Sequence, residues 1–199
     1  MMQAWQAIKM AGELWLIRHG ETAWSLSGQH TGRTDIALTA AGAQQAAALG
    51  QRLAAGKFAL VLSSPLRRAR RTCELVGLGG AMQIEPNLAE WDYGDYEGRT
   101  SAEIQQDRPG WTIFADGVPG GESLAQVAGR AEAVIARAVE ASAGGDVALF
   151  GHGHILRVLA ACWLGLPARD GRCFALAPAA VSTLGYEHSE RVMTRWNLS

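Results

Sequence analysis

The chain has 199 residues and a formal net charge of −1, so one domain is expected, able to bury about 70% of the unfolded surface. The near balance of charge excludes the overall positive field of many nucleic-acid-binding proteins. Most basic residues are arginines, which suit planar recognition of carboxylate or phosphate but which a GC-rich genome also favours.

Strand-like and helix-like segments alternate along the chain without a linker or an internal repeat. The predicted strands cover residues 14–17, 60–62, 82–85, 147–150, 182–186 and 192–196, the last two as candidates for an antiparallel edge. The predicted helices cover residues 39–55, 65–76, 101–106, 123–141 and 155–164, with Thr39 as an N-cap and Pro65 just inside a helix start. This succession predicts a three-layer α/β/α sandwich with a mostly parallel central sheet.

Two segments are expected to differ from this framework. Residues 1–12 lack the long apolar core of a signal peptide and are predicted to be a flexible N-terminal extension to a single domain at 13–199. Residues 90–120 are rich in aspartate, glycine and aromatic residues. We interpret this second segment as an insertion that covers a site.

Polar groups recur where predicted strands pass into loops, at Arg18 and His19, at Ser63–Arg68, at Glu90 and at His152. In open α/β sheets the carboxyl ends of the strands form the edge where ligands bind, so we expect these groups to share one pocket. An arginine beside a histidine is a costly pair unless an anion lies between them or the imidazole is neutral. A neutral imidazole facing phosphate is a nucleophile that needs no metal.

The basic run at residues 67–71 is either a solvated face or part of an anion site. At about 100° per residue, Arg68 lies on the side of Thr72 and Leu75, whereas the other arginines of the run lie on the opposite side. Arg68 is therefore predicted to point inward. A buried guanidinium at a helix start requires an anion.

Three further side chains have competing interpretations. Apolar and aromatic neighbours around Glu90 favour the protonated carboxyl that a general acid needs, although an acidic surface loop has the same composition. His152 and His154 resemble a metal pair, but no carboxylate or thiolate cluster accompanies them, so no metal is expected. His154 is interpreted as a rim residue, and His30 and His188 as ordinary polar residues, although His30 lies in a loop near the expected pocket.

The cysteines and the apolar stretches indicate the cellular compartment in which the protein is expected. Cys73, Cys162 and Cys173 are odd in number and lack C-x-x-C spacing, which disfavours a disulfide scaffold and agrees with a reducing cytoplasm. The apolar stretch at 155–166 contains Arg157 and is too short to span a bilayer. We therefore expect a cytoplasmic protein without a membrane partner.

Five motifs, in order, resemble those of the histidine phosphatase superfamily, whose fold is called phosphoglycerate-mutase-like. They are R-H-G-E-T at 18–22, T-G-x-x-D-x-x-L-T-x-x-G at 31–42, S-S-x-L-x-R-A-x-x-T at 63–72, L-x-E-x-x-Y-G-x-x-E-G at 88–98 and H-G at 152–153. R-H-G alone is a weak signal, but all five in this order are specific. The resemblance covers residues 14 to about 166.

The resemblance implies a role for each matching position. His19 is the implied nucleophile and Glu90 the implied acid and base, while the phosphoryl oxygens are bound by Arg18, Arg68 and His152. The implied substrate-binding residues are Ser25, Thr31, Gly32, Trp91, Tyr93 and Gly153. One departure concerns Ser25, because the mutases of this family have asparagine there. Serine can still donate a hydrogen bond to phosphate, with a shorter reach.

Three interpretations of the function remain open: two enzymatic activities and one binding role. The related mutases carry a longer insertion with more cations, whereas here the region after Gly98 offers Arg99 and Arg108, and Trp91 stands where those mutases have arginine. This difference favours a phosphatase, with a cofactor-dependent phosphoglycerate mutase as the alternative. A non-catalytic phosphate-binding domain is a third reading, although binding alone needs no acid or base.

The closest resemblance is to a branch with broad acid phosphatases and sedoheptulose-bisphosphatase-like enzymes. It implies a metal-independent phosphomonoester hydrolase with a phosphohistidine intermediate, no cofactor and small phosphorylated substrates, including sugar phosphates. Arg33, Arg99 and His154 are candidates for a second phosphate or for solvated roles. The tryptophan and leucine residues of the last two predicted strands, residues 182–186 and 192–196, fit either a homodimer interface or the core.

Overall fold

A single sheet of six strands forms the centre of the molecule, in a computed structural model that describes residues 12–54 and 56–199. The strands are β1 (Leu14–Arg18), β2 (Phe58–Ser63), β3 (Met82–Ile84), β4 (Asp146–Gly151), β5 (Val181–Glu187) and β6 (Glu190–Leu198). Their order is β3-β2-β4-β1-β5-β6. The first four are parallel neighbours, and β5 and β6 extend the sheet in antiparallel pairs. The predicted mostly parallel sheet with an antiparallel edge is confirmed.

Helices cover both faces of this sheet. They are α1 (Ala23–Ser27), α2 (Ala40–Leu53), α3 (Arg67–Leu75), α4 (Ser101–Asp107), α5 (Ile113–Asp116), α6 (Leu124–Ala141) and α7 (Gly153–Trp163). Successive strand residues alternate between two apolar clusters: Leu16 packs on the side of α6 and α7, and Ile17 on the side of α2 and α3. One buried apolar cluster thus lies between the sheet and the helices on each face, which confirms the predicted three layers.

Several boundaries differ from the predictions. Helix α3 begins at Arg67 with Leu66 as its N-cap, so Pro65 precedes the helix instead of lying inside it. The five-residue α1 lies in a segment predicted as a loop, because its capping box between Thr22 and Ser25 is a local signal that hydrophobic periodicity does not reveal. The predicted extension at 1–12 lies outside the described residues except for Gly12, whose N–H donates to the Ser142 carbonyl at 3.2 Å.

Gly20 and Gly42 allow the loop after β1 to touch the start of α2. A Cβ added at Gly20 would lie 2.3 Å from the Gly42 carbonyl oxygen, and one at Gly42 would lie 2.1 Å from the Glu21 carbonyl oxygen. Glycine is therefore required at both positions for the close approach of the two backbones.

We expect Gly42→Ala to destabilise the protein by about 1–3 kcal/mol, because the added methyl group overlaps a backbone carbonyl that cannot move freely. Gly50→Ala is the matched control on the same helix, since its Cβ would meet the Val76 carbonyl at an ordinary 3.5 Å. Alanine stabilises a helix interior by about 0.5–1 kcal/mol relative to glycine. Urea unfolding of both variants should therefore give shifts of opposite sign, and equal shifts would contradict the steric argument.

Candidate active site

The carboxyl ends of β1, β2 and β4 lie side by side. Arg18 is paired with Gly151, and Ser63 with Phe150, in the strand register. The next residue of each strand is therefore delivered to one edge, where the rings of His19 and His152 are 5.1 Å apart between centroids. This is the sheet edge where ligands bind in open α/β folds.

The buried ring of His19 has a defined proton position. Its Nδ1 lies 2.7 Å from the Gly20 carbonyl oxygen, and because a carbonyl can only accept, Nδ1 carries the proton. Burial, followed by the charges of Arg18 and Arg68, lowers the pKa of His19 well below its usual value. The imidazole is therefore neutral, and Nε2 has a free lone pair.

His152 has the opposite tautomer. The Nε–H of Arg68 donates to His152 Nδ1 at 3.0 Å, which leaves the ring proton on Nε2, 2.7 Å from Ser64 Oγ. Burial and the Arg68 charge lower the pKa of His152 well below its usual value. His152 is thus a neutral hydrogen-bond donor beside the His19 lone pair.

Arg68 is fully buried, as its helix position predicted, whereas Arg67, Arg70 and Arg71 are exposed. Its Nη1 and Nη2 groups donate to the carbonyl oxygens of Thr31, Gly32 and Thr34 at 2.9–3.1 Å. The guanidinium thus secures the loop at 31–34 and orients His152. The resemblance implied that Arg68 binds the phosphoryl oxygens; in the structure its Nε, Nη1 and Nη2 groups donate to protein acceptors.

Arg18 retains a donor for an anion. One of its Nη groups donates to the Leu176 carbonyl, while its Nε is buried without a hydrogen-bond partner among the described residues. Burial lowers the pKa of the Arg18 guanidinium, and the Glu90 charge opposes that effect. A buried donor without an acceptor is costly, so this Nε–H is suited to a bound anion.

The Glu90 carboxyl group caps the start of α7. Its Oε1 accepts from the backbone N–H groups of Trp91 and Ile155, and its Oε2 from that of His154, all at 2.9 Å. The sequence suggested an apolar environment for Glu90; backbone donors surround it instead. Oε2 has one N–H partner where Oε1 has two, so Oε2 is the oxygen with room for a transferable proton.

A cavity of about 230 Å³ opens beside these groups. It is lined by Arg18, His19, Trp24, Ser25, Gly28, Gln29, His30, Thr31, Glu90, Tyr93, Gly153, His154, Arg157 and Leu176. Seven of the eleven predicted site residues are among them. Gly153 lies at the first position of α7, where backbone N–H groups favour anions.

The other four predicted residues do not line the cavity. Arg68 and His152 contact the site as described, whereas the Gly32 N–H donates to the Glu97 carboxylate at 2.9 Å. Trp91 is fully buried, packs against Phe114 and donates its Nε1–H to the Glu122 carbonyl. Gly32 and Trp91 thus lie beside the site, outside the lining of the cavity. The Ser25 hydroxyl, although at the cavity, is engaged with the Thr22 backbone in the capping box.

Sequence reasoning missed several cavity residues. Arg157 entered only as an interruption of an apolar stretch, although it lies four residues after Gly153 and therefore on the same side of α7. Its guanidinium lies 4.9 Å from the Phe114 ring centroid. His30, expected to be an ordinary polar residue, stacks on Tyr93 with centroids 4.7 Å apart. The helical spacing of Arg157 was one available signal, and the position of His30 next to Thr31, in a loop near the expected pocket, was another.

The candidates for a second phosphate separate into two groups. Arg33 is 82% exposed and pairs with Asp92 at 2.8 Å. Arg99 pairs with Asp107 at the surface. Neither arginine lines the cavity, whereas His154 does.

Three further features of the described residues concern metal binding, membrane spans and the state of the cysteines. Among residues 12–54 and 56–199, no three histidine, cysteine, aspartate or glutamate side chains are grouped to hold a metal ion. None of the helices in this part of the chain has the length and apolar character needed to cross a bilayer. Cys73, Cys162 and Cys173 are free thiols, and burial raises the pKa of Cys73 to about 12.

Known proteins share both the sequence and the fold. The family model of the histidine phosphatase superfamily (branch 1) matches residues 14–199. An acid phosphatase of Mycobacterium tuberculosis is 43% identical over 182 residues, covering 89% of this chain and 88% of that protein. A probable phosphoglycerate mutase of Salmonella choleraesuis is 32% identical, covering 92% of this chain and 89% of that protein.

Solved structures agree with this relationship. The product of an open reading frame of Mycobacterium tuberculosis superposes with a TM-score of 0.91 at 40% identity, covering 95% of this chain and 98% of that chain. A mycobacterial glucosyl-3-phosphoglycerate phosphatase superposes with a TM-score of 0.83 at 28% identity, covering 95% of this chain and 100% of that chain. With the sequence motifs and the paired imidazoles at one sheet edge, these matches show that the chain belongs to the histidine phosphatase superfamily.

Proposed function

We propose that the protein hydrolyses phosphate monoesters of small metabolites through a phosphohistidine at His19, without a metal ion. The observation that supports this most is the pair of neutral imidazoles with opposite tautomers. His19 presents a lone pair, and 5.1 Å away between ring centroids His152 has its proton on Nε2. A nucleophile next to a donor for the phosphoryl oxygens is the arrangement that phosphoryl transfer requires.

In the first step His19 Nε2 attacks phosphorus as the P–O ester bond breaks. Glu90 Oε2 gives its proton to the leaving oxygen, which departs as an alcohol. The Arg18 Nε–H and the His152 Nε2–H donate to the equatorial oxygens, where negative charge must be stabilised. The His152 Nε2–H exchanges its Ser64 Oγ partner for a phosphoryl oxygen in this step. Arg68 acts on this step through His152, whose tautomer it sets.

In the second step water attacks phosphorus, and the bond from His19 Nε2 to phosphorus breaks. The Glu90 carboxylate takes a proton from the attacking water, so the carboxyl and the free imidazole are both restored as phosphate leaves. Ser25, Thr31, Tyr93 and Gly153 line the same cavity. We assign them to contacts with the phosphoryl group and the nearby part of the ester.

The names of the relatives support small phosphate esters as substrates. One relative is named an acid phosphatase and a structural neighbour a glucosyl-3-phosphoglycerate phosphatase, so sugar phosphates are included in the proposal. A panel of sugar phosphates, sugar bisphosphates, phosphoglycerates and p-nitrophenyl phosphate tests it, with and without a chelator. Release of inorganic phosphate that survives chelation supports the proposal, and its absence across the panel contradicts it.

The mutase alternative rests on the relative named a probable phosphoglycerate mutase. The test is incubation with 3-phosphoglycerate and a bisphosphoglycerate primer, with 2-phosphoglycerate and inorganic phosphate measured together. We expect phosphate release to exceed isomerisation. Isomerisation without phosphate release would favour the mutase.

We expect hydrolysis of p-nitrophenyl phosphate to persist in mild acid. A nucleophilic histidine with its ordinary pKa would lose about tenfold in its neutral form between pH 7.5 and pH 5.5. The pKa of His19 is lowered well below that value by burial and by Arg18 and Arg68, so the neutral form remains populated. A profile of kcat/KM that falls tenfold over this interval would contradict the assigned environment of His19.

We also propose a cytoplasmic location. The free thiols of Cys73, Cys162 and Cys173 support it, because thiols persist in a reducing compartment. Fractionation of the source cells with an antibody to the protein tests this point.

A further inference from the structure

The guanidinium of Arg157 lies at the wall of the cavity with one donor group free. Its Nε–H donates to the Gly171 carbonyl at 3.0 Å, and its Nη2 group to the Arg172 carbonyl at 3.1 Å. Its Cζ atom lies 4.9 Å from the Phe114 ring centroid. No acceptor for the Nη1 group is present in residues 12–54 and 56–199. Nη1 is therefore the part of the guanidinium that can bind a ligand in the cavity.

Arg157 is also a half-buried cation without a carboxylate partner. The ion pairs between described residues do not include it, whereas Arg130, on the helix beside α7, pairs with Glu122 at 2.7 Å. Burial lowers the pKa of the Arg157 guanidinium, and the Glu90 charge opposes that effect. Since arginine stays charged in proteins, an anion close to Arg157 would stabilise it.

The position of Arg157 on α7 relates it to the place proposed for the transferred phosphoryl group. A Cβ added at Gly153 would lie 3.6 Å from both Arg18 Nε and Glu90 Oε2, so Gly153 adjoins the groups assigned to the phosphoryl and leaving oxygens. Four residues advance a helix by about 6 Å, and long helical side chains lean back toward the N-terminus. Arg157 is therefore placed beside the leaving group of a bound ester.

The chemistry proposed for hydrolysis does not use the charge of Arg157. The charged residues that line the cavity are Arg18, Glu90 and Arg157. Arg18 is assigned to the phosphoryl oxygens, and Glu90 to the leaving oxygen. A guanidinium forms strong, charge-assisted hydrogen bonds with carboxylate and phosphate groups. A leaving group that carries either anion would give Arg157 the partner that it lacks.

We propose that Arg157 is a specificity-determining residue that binds a second anionic group, a carboxylate or a phosphate, on the leaving group of the substrate. The inference rests on the proposed hydrolysis and deepens it, because it selects doubly anionic esters from the wider class of phosphate monoesters. A purely structural Arg157 would only join residues 168–173 to α7 through its bonds to Gly171 and Arg172. Its loss would then affect all esters alike, which separates the two roles.

Two pairs of substrates test the two anions in the parent protein. The carboxylate pair is 3-phosphoglycerate and glycerol 3-phosphate of the same configuration, in which a hydroxymethyl group replaces the carboxylate. The phosphate pair is fructose 1,6-bisphosphate and fructose 6-phosphate. We expect kcat/KM to be higher for the doubly anionic member by about tenfold or more, the scale of one hydrogen bond between charged groups. A preference in one pair alone identifies the anion, and equal values within both pairs would overturn the proposal.

Replacing Arg157 by methionine should abolish this preference and retain hydrolysis of glycerol 3-phosphate and fructose 6-phosphate. Arg172→Met is the matched control, because it removes an exposed positive charge from the segment that Arg157 contacts, and it should keep the ratios of the parent protein. If Arg157→Met reduces kcat/KM equally for all four esters, or keeps the preference, the proposal is wrong.

A second variant covers the case in which Arg157→Met does not fold. Arg157→Gln retains an N–H donor for residues 168–173 and lacks the charge, so it should lose the preference as well; a preference that persists in this variant would refute the assignment. If no phosphate ester is hydrolysed by the parent protein, the proposed function fails. If hydrolysis proceeds without a preference in either pair, only this inference fails.

Discussion

Replacing His19 by glutamine should lower kcat for p-nitrophenyl phosphate by at least about 10⁴-fold, the scale of removing a nucleophile from other covalent mechanisms. Glutamine retains a donor for the Gly20 carbonyl, which His19 Nδ1 now contacts at 2.7 Å, but it has no ring nitrogen to attack phosphorus. His152 cannot substitute, because its Nε2 carries the proton and its Nδ1 accepts from Arg68.

Two observations make the His19 experiment specific. Labelled substrate quenched in mild conditions should leave acid-labile phosphate on the parent protein and none on His19→Gln. His188→Asn is the control, since His188 is exposed and has a left-handed φ of 54° that asparagine tolerates. Substantial turnover by His19→Gln would remove the phosphohistidine from the mechanism.

Replacing Arg68 by methionine should lower the free energy of unfolding by about 3–5 kcal/mol, because four hydrogen bonds from one buried guanidinium to neutral acceptors are lost. The substitution leaves the carbonyls of Thr31, Gly32 and Thr34 and the Nδ1 of His152 without their donor. Each buried acceptor left unpaired costs about 1–3 kcal/mol before relaxation. Since small proteins have only about 5–15 kcal/mol of stability, the effect is a large share of the total.

Arg67→Met is the matched control for Arg68→Met. Arg67 is the neighbouring residue on α3 and its side chain is exposed, so we expect a change within about 0.5 kcal/mol. Urea unfolding at low temperature measures both variants. Arg68→Lys, which keeps the charge and loses the planar fork, should lie between them. A loss below about 1 kcal/mol for Arg68→Met would mean that the carbonyls find other donors.

Local patterns predicted the elements that form the sheet edge. Four apolar residues before Arg18 indicated a strand buried on both faces, and the angular position of Arg68 among its neighbours indicated which arginine points inward. Both predictions depend on spacing within a few residues. For the same reason, the sequence could not reveal that Arg68 meets His152, which lies 84 positions along the chain.

The surroundings of Glu90 could not be predicted from its neighbours. Two of the three backbone groups that bind its carboxyl come from His154 and Ile155 on α7, more than sixty positions away. Trp91 was expected to bind substrate because the family resemblance implied it, but its side chain is fully buried and packs against Phe114. Its ring therefore enters the core while the carboxyl group faces the cavity.

The capping of α7 by Glu90 gives the proposed acid a second task. Catalytic groups commonly lower the stability of the fold, and removing them often yields a more stable but inactive protein. Here the same carboxyl joins the loop after β3 to the first turn of α7 through the N–H groups of His154 and Ile155. Selection for stability and selection for activity therefore favour the same residue at this position. As a result, fewer substitutions here would allow a related protein to keep the fold while losing the activity.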